Sequence, residues 1–230
     1  MDRILNSAFD FFAYALPGFC ILASFFLLDQ SLEYGSDFLI YAGRLHVGSG
    51  VVLLALSYIV GFAITPFGRL VFKKIQNSAF IKRLDKFFVG NLEKFEENEV
   101  YETKADGTAA EMFISNKFIL VRELAPNNFR YIETWHVYSM MSQNMVIAGF
   151  VAIPLILYKI FWHCPSNPAF WWATAGFVLL LSVLFMYNSV KFSTWSTNDH
   201  NAAITRLHLV ARARKLAEEN ADTQKPARKP

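Results

Sequence analysis

The chain has 230 residues, of which 54% are hydrophobic and 18% are charged, and its formal net charge is +3. Soluble domains usually carry about 25% charged residues, so this composition excludes an ordinary soluble globular domain and favours a membrane protein. The two cysteines, Cys20 and Cys164, are too few for a disulfide framework, and neither belongs to a metal-binding motif.

Four apolar segments are long enough to cross a bilayer, which takes about 17–25 mostly apolar residues. They cover residues 11–28, 51–67, 145–162 and 169–187. The first is interpreted as a permanent span and not a cleaved signal peptide, because Asp10 precedes it and no small-residue cleavage site closes it. We therefore predict an all-α, polytopic membrane protein with four transmembrane helices and a small cytoplasmic helical insert.

Several residues in or beside these spans are candidates for helix packing or gating. Helix breakers interrupt three of the spans, and small residues recur on one face of the second span, where they permit close helix contact. Packing is the favoured interpretation, and gating stays open as the alternative. Asp10 either carries a mechanistic role or simply reaches the interface or caps its helix. The set is Asp10, Pro17, Gly18, Ser57, Gly61, Thr65, Pro66 and Pro154.

The basic residues predict the orientation of the chain. They cluster after the second and fourth spans, whereas the loop between spans three and four has none. Cytoplasmic loops of membrane proteins carry the excess of Lys and Arg. We therefore predict an inner-membrane protein with both termini in the cytoplasm. Lys159, near the outer end of the third span, is expected to extend toward the headgroups, and a mechanistic role is the less favoured alternative.

The segment after span two mixes apolar and basic residues at helical spacing. It either lies on the inner leaflet, with its cations on lipid phosphates, or extends span two and packs on protein; the second interpretation is favoured. The candidate contacts to lipid headgroups or a partner are Arg69, Lys73, Lys74, Lys82 and Arg83.

The predicted domain boundaries follow from these segments. Residues 1–71 form the first transmembrane hairpin, 72–142 the cytoplasmic insert, 143–190 the second hairpin, and 191–230 a basic helix with a disordered tail. Thr108 and Glu111 form a capping box within the insert, and Pro126 ends a helix there. The C-terminal helix is expected to begin with a cap at Thr197, Asn198 or Asp199, and disorder is expected from about Glu219.

No catalytic, cofactor-binding or metal-binding motif is present in the sequence. The histidines are scattered, and HExxH, GxSxG, P-loop and GxGxxG patterns do not occur. We therefore predict a protein that is not an enzyme and uses no cofactor. Nucleic acid is an unlikely partner, because the positive charge of the C-terminal helix is better explained by its cytoplasmic position and by contact with anionic lipid.

Short stretches resemble a group of bacterial four-span inner-membrane proteins. Residues 16–19 (LPGF) resemble the start of their first span, and residues 58–61 (YIVG) resemble the Y-x-x-G of their second. Phe62 follows this glycine, where those proteins commonly have histidine. Arg122-Glu123 and Ile132-Glu133 are similar as well. The membrane subunit of the Kiwa anti-phage system has this general architecture, so the resemblance implies a membrane component of phage defence.

Two functions are favoured by these features, and an enzyme acting on lipid, with catalytic groups among the lone His and Asp residues, is a third and less favoured one. The first is an oligomeric membrane effector or scaffold that couples a soluble cytoplasmic protein or a signal to the bilayer. One form of this hypothesis is a pore that opens in anti-phage defence. The second is a small transporter or a transporter subunit, although transporters usually place charged or broken helices at the midplane.

Overall fold

The computed structural model describes residues 2–26, 37, 40, 43–44, 46–76, 78–89 and 117–223. Within this part of the chain the secondary structure is helical, with no strand, which confirms the all-α prediction. The elements in chain order are α1 (Asp2–Phe26), α2 (Val47–Ile75), α3 (Ala79–Val89), α4 (Lys117–Leu124), α5 (Pro126–Tyr158), a π-helical turn (Lys159–His163), α6 (Pro168–Arg206) and α7 (Leu209–Thr223). The capping box predicted at Thr108 and Glu111 lies outside the described residues.

Three helical stretches are long and apolar enough to cross a membrane: α2, α5 with the π-helical turn, and α6. The fourth predicted span corresponds to α1, in which the apolar stretch is the shorter Phe11–Phe26. It is shorter because polar residues fill the first turns of α1 and because residues 27 and 28 lie outside the described part. The prediction of four spans therefore stays a prediction, whereas membrane-spanning length and composition are found for three.

The chain divides into two compact units. The first unit comprises Met1–Gly90 and His136–Phe192, and the second comprises Asn91–Trp135 and Ser193–Pro230. Helices α5 and α6 each supply residues to both units. The apolar segments lie in the first unit, and most of the predicted cytoplasmic residues of the tail lie in the second.

Direct backbone contact joins α1 to α2 in the first unit. A Cβ atom placed on Gly18 would overlap the carbonyl oxygen of Ser57 and lie 2.7 Å from the backbone nitrogen of Gly61. A Cβ on Gly61 would in turn overlap the carbonyl oxygen of Tyr14. Glycine at both positions therefore lets two helices approach until main chain meets main chain, the geometry that small residues permit between membrane helices.

Aromatic rings flank this glycine contact on the same pair of helices. The Tyr58 ring of α2 stacks on Phe11 with centroids 5.4 Å apart and meets the edge of Tyr14 at 5.6 Å. Tyr14 also meets Phe62 edge-on at 5.6 Å. These pairs fill the space beside the closely approaching backbones, and edge-on or offset ring pairs each add about 0.5–1.5 kcal/mol beyond simple burial.

The second unit has its own apolar core. Leu120 and Val121 of α4 pack against Leu209 and Ala213 of α7, and Phe129 of α5 joins them. Pro126 is the first residue of α5, a position where its missing N–H costs nothing, and α4 ends just before it at Leu124, as predicted.

The C-terminal helix begins later than the sequence predicts. Thr197 and Asp199 lie inside α6, where the Thr197 hydroxyl donates to the carbonyl of Ser193 at 3.0 Å instead of capping a new helix. The break falls at His208, whose φ of 49° is left-handed, and α7 follows directly. Helix α7 also continues past Glu219 to Thr223, helped by an ion pair between Lys215 and Glu219 at 3.9 Å.

Gly61→Ala should destabilise the protein because the new methyl group must displace the α1 backbone. We expect a loss of about 1–3 kcal/mol, the usual range for overpacking. Gly176→Ala is the matched control, since a Cβ there meets nothing within 4 Å. Alanine is also the better helix former by about 1 kcal/mol. Thermal unfolding of the detergent-solubilised variants measures both, and equal midpoints for the two would refute the close contact.

Candidate functional site: a buried polar junction

A row of polar side chains on α5 is buried inside the first unit. Four such residues occur within six positions, at the end of the predicted third span nearest the insert, and each is no more than 9% exposed. Buried polar groups are costly in an apolar bundle unless hydrogen bonds satisfy them. The row is therefore the most informative polar feature of this unit; it comprises Ser139, Ser142, Gln143 and Asn144.

Asn144 connects α5 to α2. Its Nδ2 donates to Thr65 Oγ1 at 3.1 Å, and the Thr65 hydroxyl donates to the carbonyl oxygen of Gly61, also at 3.1 Å. Because the single hydroxyl proton of Thr65 goes to Gly61, Thr65 must accept from Asn144, which sets the orientation of the amide. The Oδ1 atom then faces Gly68, where a Cβ would lie 3.0 Å away. It has no hydrogen-bond partner among the described residues.

Ser139 connects the same helix to α6. Its hydroxyl donates to the carbonyl oxygen of Ser189 at 2.8 Å, and Gln143 Nε2 donates to Ser139 Oγ at 3.1 Å. Helix α5 is thus hydrogen-bonded to α2 through Asn144 and to α6 through Ser139. We call these residues the polar junction: Thr65, Ser139, Gln143, Asn144 and Ser189.

The structure brings only some of the predicted packing or gating residues together. Gly18, Ser57 and Gly61 meet at the contact between α1 and α2, and Pro17 is buried on α1. Thr65 belongs to the polar junction. Pro66 and Pro154, in contrast, lie on exposed faces of α2 and α5. Asp10 lies within α1, and its side chain is outside the described part.

Sequence reasoning missed Asn144, Gln143 and Ser139 because they precede Met145, the first residue of the predicted third span. The predicted boundaries placed Ser139 in the insert and Gln143 and Asn144 at the very start of the second hairpin, before the apolar run. The signal that could have found them is the spacing of Ser139, Gln143 and the neighbouring Asn144, which places all three within about one turn of a helix continuous with the span.

Lys159 does not extend toward the headgroups, contrary to the prediction. Its side chain is 1% exposed, and Nζ lies 4.7 Å from the ring centroid of Trp171. The cause is local: Lys159 opens the π-helical turn, and Trp171, itself 2% exposed, presents its ring from α6. A desolvated cation–π contact of this kind contributes about 2 kcal/mol.

A groove of about 290 Å³ lies between α1, α5 and α6 in the first unit. Small residues of α5, among them Ala148, Gly149 and Ala152, form one wall, and Phe19 and Phe185 contribute to the others. Three hydroxyl groups border it, but each donates to a carbonyl of its own helix, so the surface offered to an occupant is apolar; they belong to Ser24, Thr174 and Ser182.

The predicted basic contacts all lie on the surface. Arg69, Lys73 and Lys74 end α2, and Lys82 and Arg83 belong to α3. Arg69 Nη2 lies 3.6 Å from the sulfur of Met140, one turn from Asn144 on α5. Ser78 caps α3 by accepting a hydrogen bond from the Ile81 N–H at 3.3 Å. We call the five cations the basic rim.

Family models, curated proteins and solved structures were compared with the chain, and none of them matches it. The described residues also contain no group of three or more His, Cys, Asp and Glu side chains placed to hold a metal ion.

Thr65→Val should cost more stability than Asn144→Leu. Valine leaves the buried Asn144 amide without its acceptor, a loss of about 1–3 kcal/mol in a protein interior and about 0.6–1.7 kcal/mol between membrane helices. Leucine removes the whole amide, including the Oδ1 that lacks a partner, so its cost should be smaller. Unfolding of both single variants and the double variant in detergent forms a double-mutant cycle. A Thr65→Val effect that persists unchanged in the Asn144→Leu background would argue against the hydrogen bond.

Proposed function

We propose that the chain is a multi-pass inner-membrane effector or scaffold that couples a soluble cytoplasmic protein to the bilayer. The first unit lies in the membrane with four spans, both termini are cytoplasmic, and several copies assemble. The observation that carries the proposal is that α5 and α6 each supply residues to both the apolar first unit and the second unit. In this proposal, binding at the second unit acts on the two helices that supply four of the five polar-junction residues.

Exposed apolar side chains support the membrane placement. Helix α2 buries its small-residue face against α1 and α5 and exposes large apolar residues elsewhere on its surface. Removing such surface from water is worth about 25 cal/mol per Å², so a bilayer stabilises this arrangement and water does not. The exposed set includes Val51, Leu54, Ile59, Phe62 and Phe67.

The fourth span is supported by the contact between α1 and α2. Because the two backbones touch at Gly18 and Gly61, α1 shares the environment of α2 at that level. Helix α1 also exposes aromatic residues, with Phe12 58%, Phe25 53% and Phe26 55% exposed. These side chains suit contact with lipid or with a second copy.

The second unit offers a surface for a protein partner. Tyr131 is 59% exposed and meets the edge of Trp135 at 5.6 Å, and Trp135 meets Trp195 at 5.0 Å. Trp195 and Phe118 are 44% and 41% exposed. Exposed aromatic residues held by neighbouring rings are the type that dominates protein interfaces.

Activation in this proposal means a change at the polar junction that perturbs the bilayer, and a pore is the specific form that the resemblance to phage-defence membrane proteins favours. The junction holds α5 against α2 and α6 through few hydrogen bonds, each worth about 0.6–1.7 kcal/mol between membrane helices. A partner needs only a differential affinity of similar size to shift such an equilibrium.

The two native cysteines allow a direct test of topology. Cys164 is exposed in the loop after the π-helical turn, so in a Cys20→Ser variant a membrane-impermeant maleimide should label it in intact spheroplasts. The matched reporter is Thr197→Cys in a background lacking both native cysteines, since Thr197 is exposed in the second unit. It should react only after the membrane is permeabilised. The opposite pattern would reverse the proposed orientation.

Asn144→Ala should make the membrane leak if the junction restrains a pore. Loss of one such hydrogen bond shifts the closed-to-open ratio by roughly 3- to 20-fold. Release of a trapped dye from proteoliposomes measures the change, with Gly176→Ala as control. Equal dye retention by both variants and by the unaltered chain would eliminate the pore version, and the scaffold version would stand.

A further inference from the structure

We infer that the basic rim is a binding site for the headgroups of anionic phospholipids. It comprises Arg69, Lys73, Lys74, Lys82 and Arg83, at the end of α2 and on α3. The inference deepens the membrane placement proposed above and depends on that placement, but it does not depend on the effector role. The positive-inside rule predicts only that these residues are cytoplasmic, whereas the inference also gives them a class of ligand.

The five cations are available for a ligand. All five are exposed, and none forms an ion pair with a carboxylate of the described residues. Arg69 donates a hydrogen bond to the sulfur of Met140, which is a weak and uncharged acceptor. The rim therefore presents positive charge that the described part of the chain does not neutralise, and it complements an anionic surface.

Apolar residues between the cations match the depth of a lipid interface. Leu70 is 59% exposed beside Arg69, and Phe80 is 48% exposed two positions before Lys82. A soluble acidic partner would satisfy the charges and leave these side chains poorly matched. At the membrane surface the cations reach phosphate groups, and Leu70 and Phe80 enter the glycerol and upper acyl region.

Helix α3 belongs with the membrane helices. It falls in the first unit, and Ile81 is buried there with only 4% exposure. Among the described helices α3 separates apolar from charged residues most strongly, which is typical of helices lying in an interface. Ile81 thus marks the buried side of α3, while Lys82 and Arg83 stay exposed.

The cations of α7 provide an internal comparison. Arg212, Arg214 and Lys215 are also exposed, but they lie in the second unit, and Lys215 pairs with Glu219. If net positive charge alone attracted anionic lipid, both clusters would contribute equally. We assign the binding of anionic headgroups to the rim and not to the cations of α7.

The test uses the full chain solubilised in mixed micelles with equimolar phosphatidylglycerol and phosphatidylcholine. Native mass spectrometry of the retained lipid then gives the ratio of the two. The rim variant replaces four of the five rim cations, as Lys73→Gln, Lys74→Gln, Lys82→Gln and Arg83→Gln combined. The matched control replaces four exposed cations of the second unit, Arg206→Gln at the end of α6 with Arg212→Gln, Arg214→Gln and Lys215→Gln of α7. A charge-conserving variant, Lys73→Arg with Lys74→Arg and Lys82→Arg, checks that side-chain replacement itself is tolerated.

We expect the unaltered chain, the control and the arginine variant to retain phosphatidylglycerol preferentially. In the rim variant the ratio of retained phosphatidylglycerol to phosphatidylcholine should fall by about tenfold or more. This is a conservative figure, since each cation near an anionic surface contributes about fivefold. An unchanged preference in the rim variant, or an equal loss in the rim and control variants, would overturn the inference. Failure of the membrane placement has a separate signature, because the unaltered chain would then be released from membranes by alkaline carbonate.

Discussion

The contact between Gly18 and Gly61 is the constraint on which the first unit depends. Two apolar helices in a bilayer gain little from the hydrophobic effect, because lipid tails solvate them as well as each other. Association must then come from close packing, and here the main chains themselves meet. With α1 held this closely, α2 turns its small-residue face inward, and Thr65 is placed where Asn144 of α5 can reach it.

The polar junction extends this arrangement from α2 to α5 and α6. Close contact of smooth apolar helices tolerates sliding, whereas a hydrogen bond specifies one register. Asn144 and Ser139 each supply such a bond to a different neighbouring helix. The same two helices also supply residues to the core of the second unit around Leu120 and Leu209, Phe129 from α5 and Ile204 from α6.

Much of this fold could be predicted from sequence, because helices long and apolar enough to cross a membrane are recognised from length and composition alone. The helices over residues 51–67, 145–162 and 169–187 are found close to where the apolar runs place them. The small residues at Ser57, Gly61 and Thr65 do share a buried face. Most of what could not be predicted is set by partners on other helices. Nothing near Lys159 indicates that Trp171 covers it. At Thr197 the cause is local, because its hydroxyl can either cap a new helix or bond back to the carbonyl of Ser193, and the sequence does not decide between the two. Asn144 looks like an ordinary polar residue until Thr65 is brought beside it.

The two faces of α2 have opposite tolerance to mutation. Toward α1, every single-base change of a glycine codon that alters the residue introduces a larger side chain, and Gly61 has no room for even a methyl group. On its exposed face, within the proposed bilayer, Val, Leu, Ile and Phe can replace one another with little effect, since lipid tails do not distinguish them. Distant descendants of this chain would therefore drift rapidly over most of α2 while keeping Gly18 and Gly61. Their common ancestry would be recorded in the spacing of glycines more than in shared residues elsewhere.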